Sequence, residues 1–129
     1  MKMIDISELA DKYVTYSSLD EDKKEQHLYE ESLFILQEMV NNEPETAWNV
    51  ILEIIKRTDN KWVLTLLGCG ELESLLGRHF DQFIDRSEKE GRVVKKFAFV
   101  VSCVWLNRMS DEQYARLDRL VEELGLERE

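Results

Sequence analysis

Residues 72–84, LESLLGRHFDQFI, decide the fold class. Apolar or aromatic side chains recur at Leu72, Leu75, Leu76, His79, Phe80, Phe83 and Ile84. Spacings of three and four, held throughout, describe one face of an α-helix. Glu71, Glu73, Arg78, Asp81, Asp85 and Arg86 occupy the remaining positions in and beside the stretch. A helix divided in this way buries its stripe against other helices, and the flanking segments carry matching patterns.

Working outward, Trp62–Leu67 is short and apolar and is followed by Gly68-Cys69-Gly70. It reads as a short helix ended by those glycines and packed antiparallel on the helix before it. Gly77 falls inside the organising helix, where it costs about 1 kcal/mol relative to alanine and permits a neighbouring backbone to come close. The polar stretch Glu88–Arg92, which contains Gly91, is expected to turn. Phe97–Leu106 is nearly continuous in apolar residues, so periodicity alone does not separate strand from helix. A helix is expected because no second strand is available, and a lone strand leaves its backbone groups unpaired.

Ser110 and Gln113 have capping-box spacing, with Met109 and Tyr114 as the hydrophobic staple. Tyr114, Leu117, Leu120, Val121 and Leu124 form the last stripe, and Gly125 ends it. Toward the N-terminus, Pro44 fits the first turn of a helix whose apolar face is Trp48, Ile51, Leu52, Ile54 and Ile55, ending near Asp59-Asn60. The helix before it carries Leu28, Ser32, Ile35, Leu36, Met39 and Val40 on one side and is expected to open at Ser18 and Glu21. The first helix starts at Asp5, with Glu8 three residues on and Ile4 and Leu9 as its staple. It runs to about Tyr16.

These segments predict an all-α protein of six or seven helices in antiparallel hairpins, resembling a short helical-repeat stack. With 129 residues, one proline and five glycines, the chain has too few turn residues for a many-stranded β fold. Its length suits a single domain, 1–129, in which helices 1–43 are acidic and 44–129 form a core.

The net charge of −10 disfavours binding to a phosphate backbone. Residues 1–43 hold 11 acidic and 4 basic side chains, whereas residues 91–129 hold 7 of each. Such an excess is ordinarily a solvated face, and it also suits a basic partner. Glu21, Asp22, Glu25, Glu30 and Glu31 lie ahead of most of the second helix's stripe and are the candidate partner-binding residues.

Cys69 and Cys103 are isolated and read as small core residues in a reducing compartment. Two cysteines and two histidines at these spacings complete no zinc site, and His27 with Glu31 falls short of one, so neither metal nor cofactor is expected. Residues 1–6 contain no apolar signal core, and Phe97–Leu106 is about half a membrane span. A cytoplasmic protein without a membrane segment is expected.

The stretch GCGELESLLGRHFDQFIDR (68–86) is preceded by AWNVILEII (47–55) and followed by VWLNRMSDEQYARL (104–117). Together they resemble a family of small bacterial all-helical domains of unknown function. The likeness covers Glu43–Val121 and carries over no catalytic residues. By analogy it suggests an immunity-like factor made beside a toxin.

The sequence alone favours a non-enzymatic protein that blocks a basic protein partner, such as a toxin, through its acidic helices. The alternatives are a small-molecule enzyme with a pocket between helices, and a scaffold or homo-oligomer. Glu73, His79 and Arg86 are the pocket candidates. Glu73, His79 and Asp85 suggest acid–base chemistry, but steps of six residues place them at different angles around a helix. His79 is expected to be a buried, hydrogen-bonded core residue. Ser74 and Ser102 have no nucleophile-elbow context, and Cys103 lies in an apolar run that disfavours thiolate. Glu71 and Glu73 after the glycines would repel a phosphate. Arg86, Lys89, Arg92, Lys95 and Lys96 form a basic cluster expected to balance the acidic N-terminal third. Trp48, Trp62 and Trp105 are expected in or near the core, and any that stands exposed becomes an interface candidate.

Overall fold

The computed structural model describes residues 5–18, 26–105 and 109–126, and for residues 16 and 26–31 the backbone alone. The α-helices are α1 (Ile6–Ser18), α2 (Gln26–Asn42), α3 (Pro44–Arg57), α4 (Lys61–Leu67), α5 (Glu73–Val93), α6 (Lys95–Ser102) and α7 (Asp111–Glu123). A π-helical turn, Gly68–Leu72, joins α4 to α5. No strand occurs among the described residues, so the fold is all-α. None of the described helices is long and apolar enough to cross a membrane. The chain forms two compact units, residues 1–63 and 64–129, divided inside α4.

In the first unit α1, α2 and α3 pack on one another. Asp5 Oδ1 accepts the backbone N–H groups of Ser7 at 3.0 Å and Glu8 at 3.3 Å, satisfying two donors that a helix start leaves without partners. Its staple partner Ile4 lies outside the described residues. Leu9, Ala10, Tyr13 and Ser17 turn the buried side of α1 inward. Ser18 ends this helix rather than opening the next, its hydroxyl donating back to the Val14 carbonyl at 2.6 Å. Glu21, the other half of the expected cap, lies outside the described residues.

Pro44 occupies the first turn of α3, where its missing N–H costs nothing. Ala47, Trp48, Val50, Ile51, Ile54 and Ile55 are buried, a face broad enough to meet both neighbours. Ser32, Leu36, Met39 and Val40 supply the stripe of α2. Arg57 ties the end of α3 to α1, reaching Asp11 at 3.7 Å and donating to the Ser7 hydroxyl, while Glu53 lies one turn back at 3.4 Å. Asn60 starts a helix instead of finishing one. Its Oδ1 accepts from Trp62 N at 2.9 Å and Val63 N at 3.2 Å, which caps α4.

In the second unit the glycines do not end the short helix. Leu67 (φ −62°, ψ −42°) and Leu72 (φ −66°, ψ −41°) keep right-handed helical backbone on both sides of the π turn. Gly68 is there because α6 comes close. A Cβ at Gly68 would lie 2.7 Å from Cys103 Cβ and closer still to the Val100 carbonyl oxygen. Close approach of the kind expected at Gly77 is thus found at Gly68.

The helix α5 does not turn at Glu88–Arg92 but runs on to Val93, with a kink at His79 (φ −134°, ψ 44°). Gly91 faces α7, where a methyl group would lie 3.5 Å from Leu124 Cδ1 and 3.9 Å from Leu120 Cδ2. Phe97, Ala98, Val100 and Val101 bury α6, which stops at Ser102, short of the full apolar run. Leu106 itself lies outside the described residues.

Ser110 and Gln113 form a reciprocal capping box at the start of α7. At its end Gly125 (φ 71°) donates to the Glu122 carbonyl and Leu126 to that of Val121, a Schellman closure. Asp85 and Glu88 meet Arg116, and Arg92 meets Glu123. Residue numbers thus rise together along both helices, so α7 follows the second half of α5 in the same direction.

Candidate functional site

The pocket candidates of α5 are held by different partners. Glu73, first in the helix, is buried, and its Oε1 accepts the backbone N–H of Trp105 at 2.8 Å. That bond fixes the chain just after α6 and leaves the Trp105 side of the residue outermost, 50% exposed. Burying a carboxylate is costly unless strong donors meet it, so Glu73 reads as an anchor for this segment.

His79 and Arg86 converge on one ring. The His79 imidazole stands edge-on to Phe83, with centroids 6.5 Å apart and planes at 80°, and the Arg86 guanidinium lies 5.2 Å from the same ring's centroid. His79 is half-buried at the kink, not deep in the core as the stripe implied, because the backbone leaves helical geometry there. Asp85 pairs with Arg116 at 2.6 Å. The acid–base set is therefore distributed over an amide donor, an aromatic ring and an ion pair.

Arg116 binds Asp85 and Glu88 (2.9 Å) together, and these hydrogen bonds push its pKa up. Arg92 makes a two-pronged contact with Glu123 at 2.7 and 3.3 Å. This bond raises Arg92 and holds Glu123 below the ordinary carboxylate range. For Arg92 the balancing acid comes from α7, and the Arg86 guanidinium also lies over the Phe83 ring.

Cys103 is buried as expected, but Cys69 is exposed. Partial burial pushes the Cys69 thiol up, and Glu73, Cys103 and Glu71 add to the effect, so it stays protonated and a weak nucleophile. Glu71 and Glu73 are both buried beside the glycines. Among the described residues no group of three or more His, Cys, Asp or Glu is arranged to hold a metal ion.

Trp48 is buried at 5% exposure, but Trp62 and Trp105 are not core residues. Trp62 is 60% exposed because its seven-residue helix turns only Val63, Leu64 and Leu67 fully inward. Phe34, 66% exposed on α2, is a candidate that the stripe analysis passed over. Its signal was available, since Phe34 lies outside the series Ser32, Ile35, Leu36, Met39, Val40. Of the acidic candidates, Glu21, Asp22 and Glu25 lie outside the described residues. Glu30 and Glu31 belong to the backbone of α2, and their side chains lie outside the described ones.

A family model described as a family of unknown function (DUF6869) matches residues 17–124, from the end of α1 through α7. No curated protein and no solved structure matches the chain.

Proposed function

The chain belongs to this family of unknown function, and we propose that it is a non-enzymatic interaction protein that binds and neutralises a basic protein partner. An immunity-like role beside a bacterial toxin, in the cytoplasm, is the concrete form of the proposal. The observation that carries it is the coincidence of charge and exposed aromatic surface in one unit. Residues 1–63 hold 14 acidic and 7 basic side chains, and the same unit exposes Phe34 and Trp62. Large exposed aromatics are the residue types that anchor protein interfaces, and an acidic surround speeds encounter with a basic surface.

The test reverses Glu21, Asp22 and Glu25 to lysine and compares both proteins as bait at low salt in lysate of the native host, with captured proteins identified by mass spectrometry. A discrete basic protein is expected on the parent bait and depleted on the variant. Its purified form should associate at least about tenfold more slowly with the variant, the gap closing as salt screens the charges. Identical captured proteins and equal association rates at low salt would remove the proposal's physical support.

A further inference from the structure

We propose that the outward face of α2 at Phe34 receives an arginine of the basic partner. This rests on the function proposed above and names the contact by which it would be made.

Three observations point to a guanidinium. Phe34 is two-thirds exposed in the middle of α2, with exposed Gln37, Glu38 and Asn41 at the following positions of its face. The helix carries Glu30, Glu31 and Glu38 and no lysine or arginine. Positions 30 and 31 lie one turn before Phe34 and position 38 one turn after, so an aromatic ring sits between acidic positions about 5–6 Å away along the helix. Glu38 Oε2 already accepts from Asn42 Nδ2 at 3.2 Å, and a carboxylate has acceptor capacity beyond one such bond.

A planar cation uses both elements at once. Its face stacks on the ring while its N–H fork reaches a carboxylate one turn away, which a lysine ammonium does less well. The protein builds half of this arrangement internally, where the Arg86 guanidinium covers Phe83 while Asp85 and Glu88 of the same helix bind another arginine. On α2 the ring and the acidic positions are present, and the helix supplies no lysine or arginine of its own.

The experiment titrates the full chain with two peptides of equal length and charge, an arginine–glycine repeat and a lysine–glycine repeat, followed by amide NMR shifts. The variants are Phe34→Leu, which keeps apolar bulk but removes the ring, and E30K/E31K/E38K. Phe34 and Glu38 are exposed, and far-UV CD checks that helicity is kept in both variants. The parent chain should prefer the arginine peptide about two- to fivefold for each arginine engaged, with shifts centred on 30–41. Phe34→Leu should abolish that preference and leave lysine-peptide binding unchanged, while the charge reversal should weaken both. A preference that is absent, or that survives Phe34→Leu, overturns this inference; the wider proposal stands if charge reversal still weakens both peptides. Failure of both peptides to bind at low salt overturns the two together. Sedimentation showing a Phe34-dependent dimer of the free chain assigns the face to a second copy and overturns the arginine contact.

Discussion

Gly68 and Gly70 are two residues apart in one π turn, and alanine should act on them with opposite sign. At Gly68 the added Cβ would lie 2.7 Å from Cys103 Cβ and closer still to the Val100 carbonyl oxygen. The nearer obstacle is backbone, so relief requires α6 to move away from the turn. Overpacking of this kind costs about 1–3 kcal/mol, and a contact tighter than real Cβ atoms show belongs at the upper end. Replacing glycine in a helix returns about 1 kcal/mol. The net loss expected for Gly68→Ala is therefore about 2 kcal/mol. At Gly70 a Cβ meets nothing within 4 Å, so only the favourable contribution remains and Gly70→Ala should gain about 0.5–1 kcal/mol. The two variants should differ by about 3 kcal/mol in urea unfolding followed by far-UV CD, and by roughly 10 °C or more in Tm. Amide exchange in α6 should accelerate only in Gly68→Ala. A Gly68→Ala protein as stable as the parent would refute the assignment of this glycine to close approach.

Ser87 is fully buried in α5 and its hydroxyl has no hydrogen-bond partner, so Ser87→Ala should raise stability by about 1 kcal/mol in the same assay. Glu73→Gln keeps an acceptor for the Trp105 N–H and should be mild. Glu73→Leu strands that donor and should cost about 1–3 kcal/mol, with faster amide exchange at Trp105 as its local signature. Glu123, held low by Arg92, is depressed in the folded state. Its pair therefore contributes above the unfolded carboxylate pKa and is lost as pH falls through the lower folded value. The stability gap between the parent and Glu123→Gln should hold from neutrality to about pH 5 and close in more acid solution, as followed by thermal unfolding across pH.

Local chemistry was legible at most helix ends, Ser18 and Asn60 being the exceptions. Asp5, Pro44, the Ser110–Gln113 box and Gly125 take the places their spacings predict, because caps are decided by neighbours in sequence. What depended on distant partners was not legible. Gly68 looks like a helix stop until Val100 and Cys103 are brought beside it. Gly91 looks like a turn until Leu120 and Leu124 face it. Glu73 and the amide it holds are 32 residues apart. Trp62 looked like core because a seven-residue helix offers too few positions to define a stripe. The acidic candidates were placed by charge and by their position ahead of the second helix's stripe, and Phe34 was visible only as a residue off that stripe.

The period of the long central pattern explains both irregularities of the backbone that carries it. Leu67, Glu71, Leu75, His79, Phe83, Ser87 and Gly91 form a row at steps of four, buried except for half-buried His79. A regular α-helix turns about 100° per residue, so each step of four drifts about 40° and the row would wander about 240° over its length. No straight helix keeps such a row on one side. The π turn at Gly68–Leu72 is wider than an α-turn and absorbs part of the drift, and the kink at His79 breaks the remainder into shorter stretches. Paired deletions test this account. An i→i+5 turn holds one residue more than an i→i+4 turn, so deleting Gly70 lets the turn close as ordinary α-helix and leaves the facing of Leu75, Leu76, Phe80 and Phe83 nearly unchanged. Deleting exposed Asp81, in the regular part of α5, has no wide turn to close and rotates Phe83, Ile84, Ser87 and Gly91 by about 100° relative to the residues before it. The Asp81 deletion should therefore be the more destabilising of the two by well over about 3 kcal/mol in urea unfolding. Two deletion variants with the same urea midpoint would show that the π turn does not hold the spare residue of this helix.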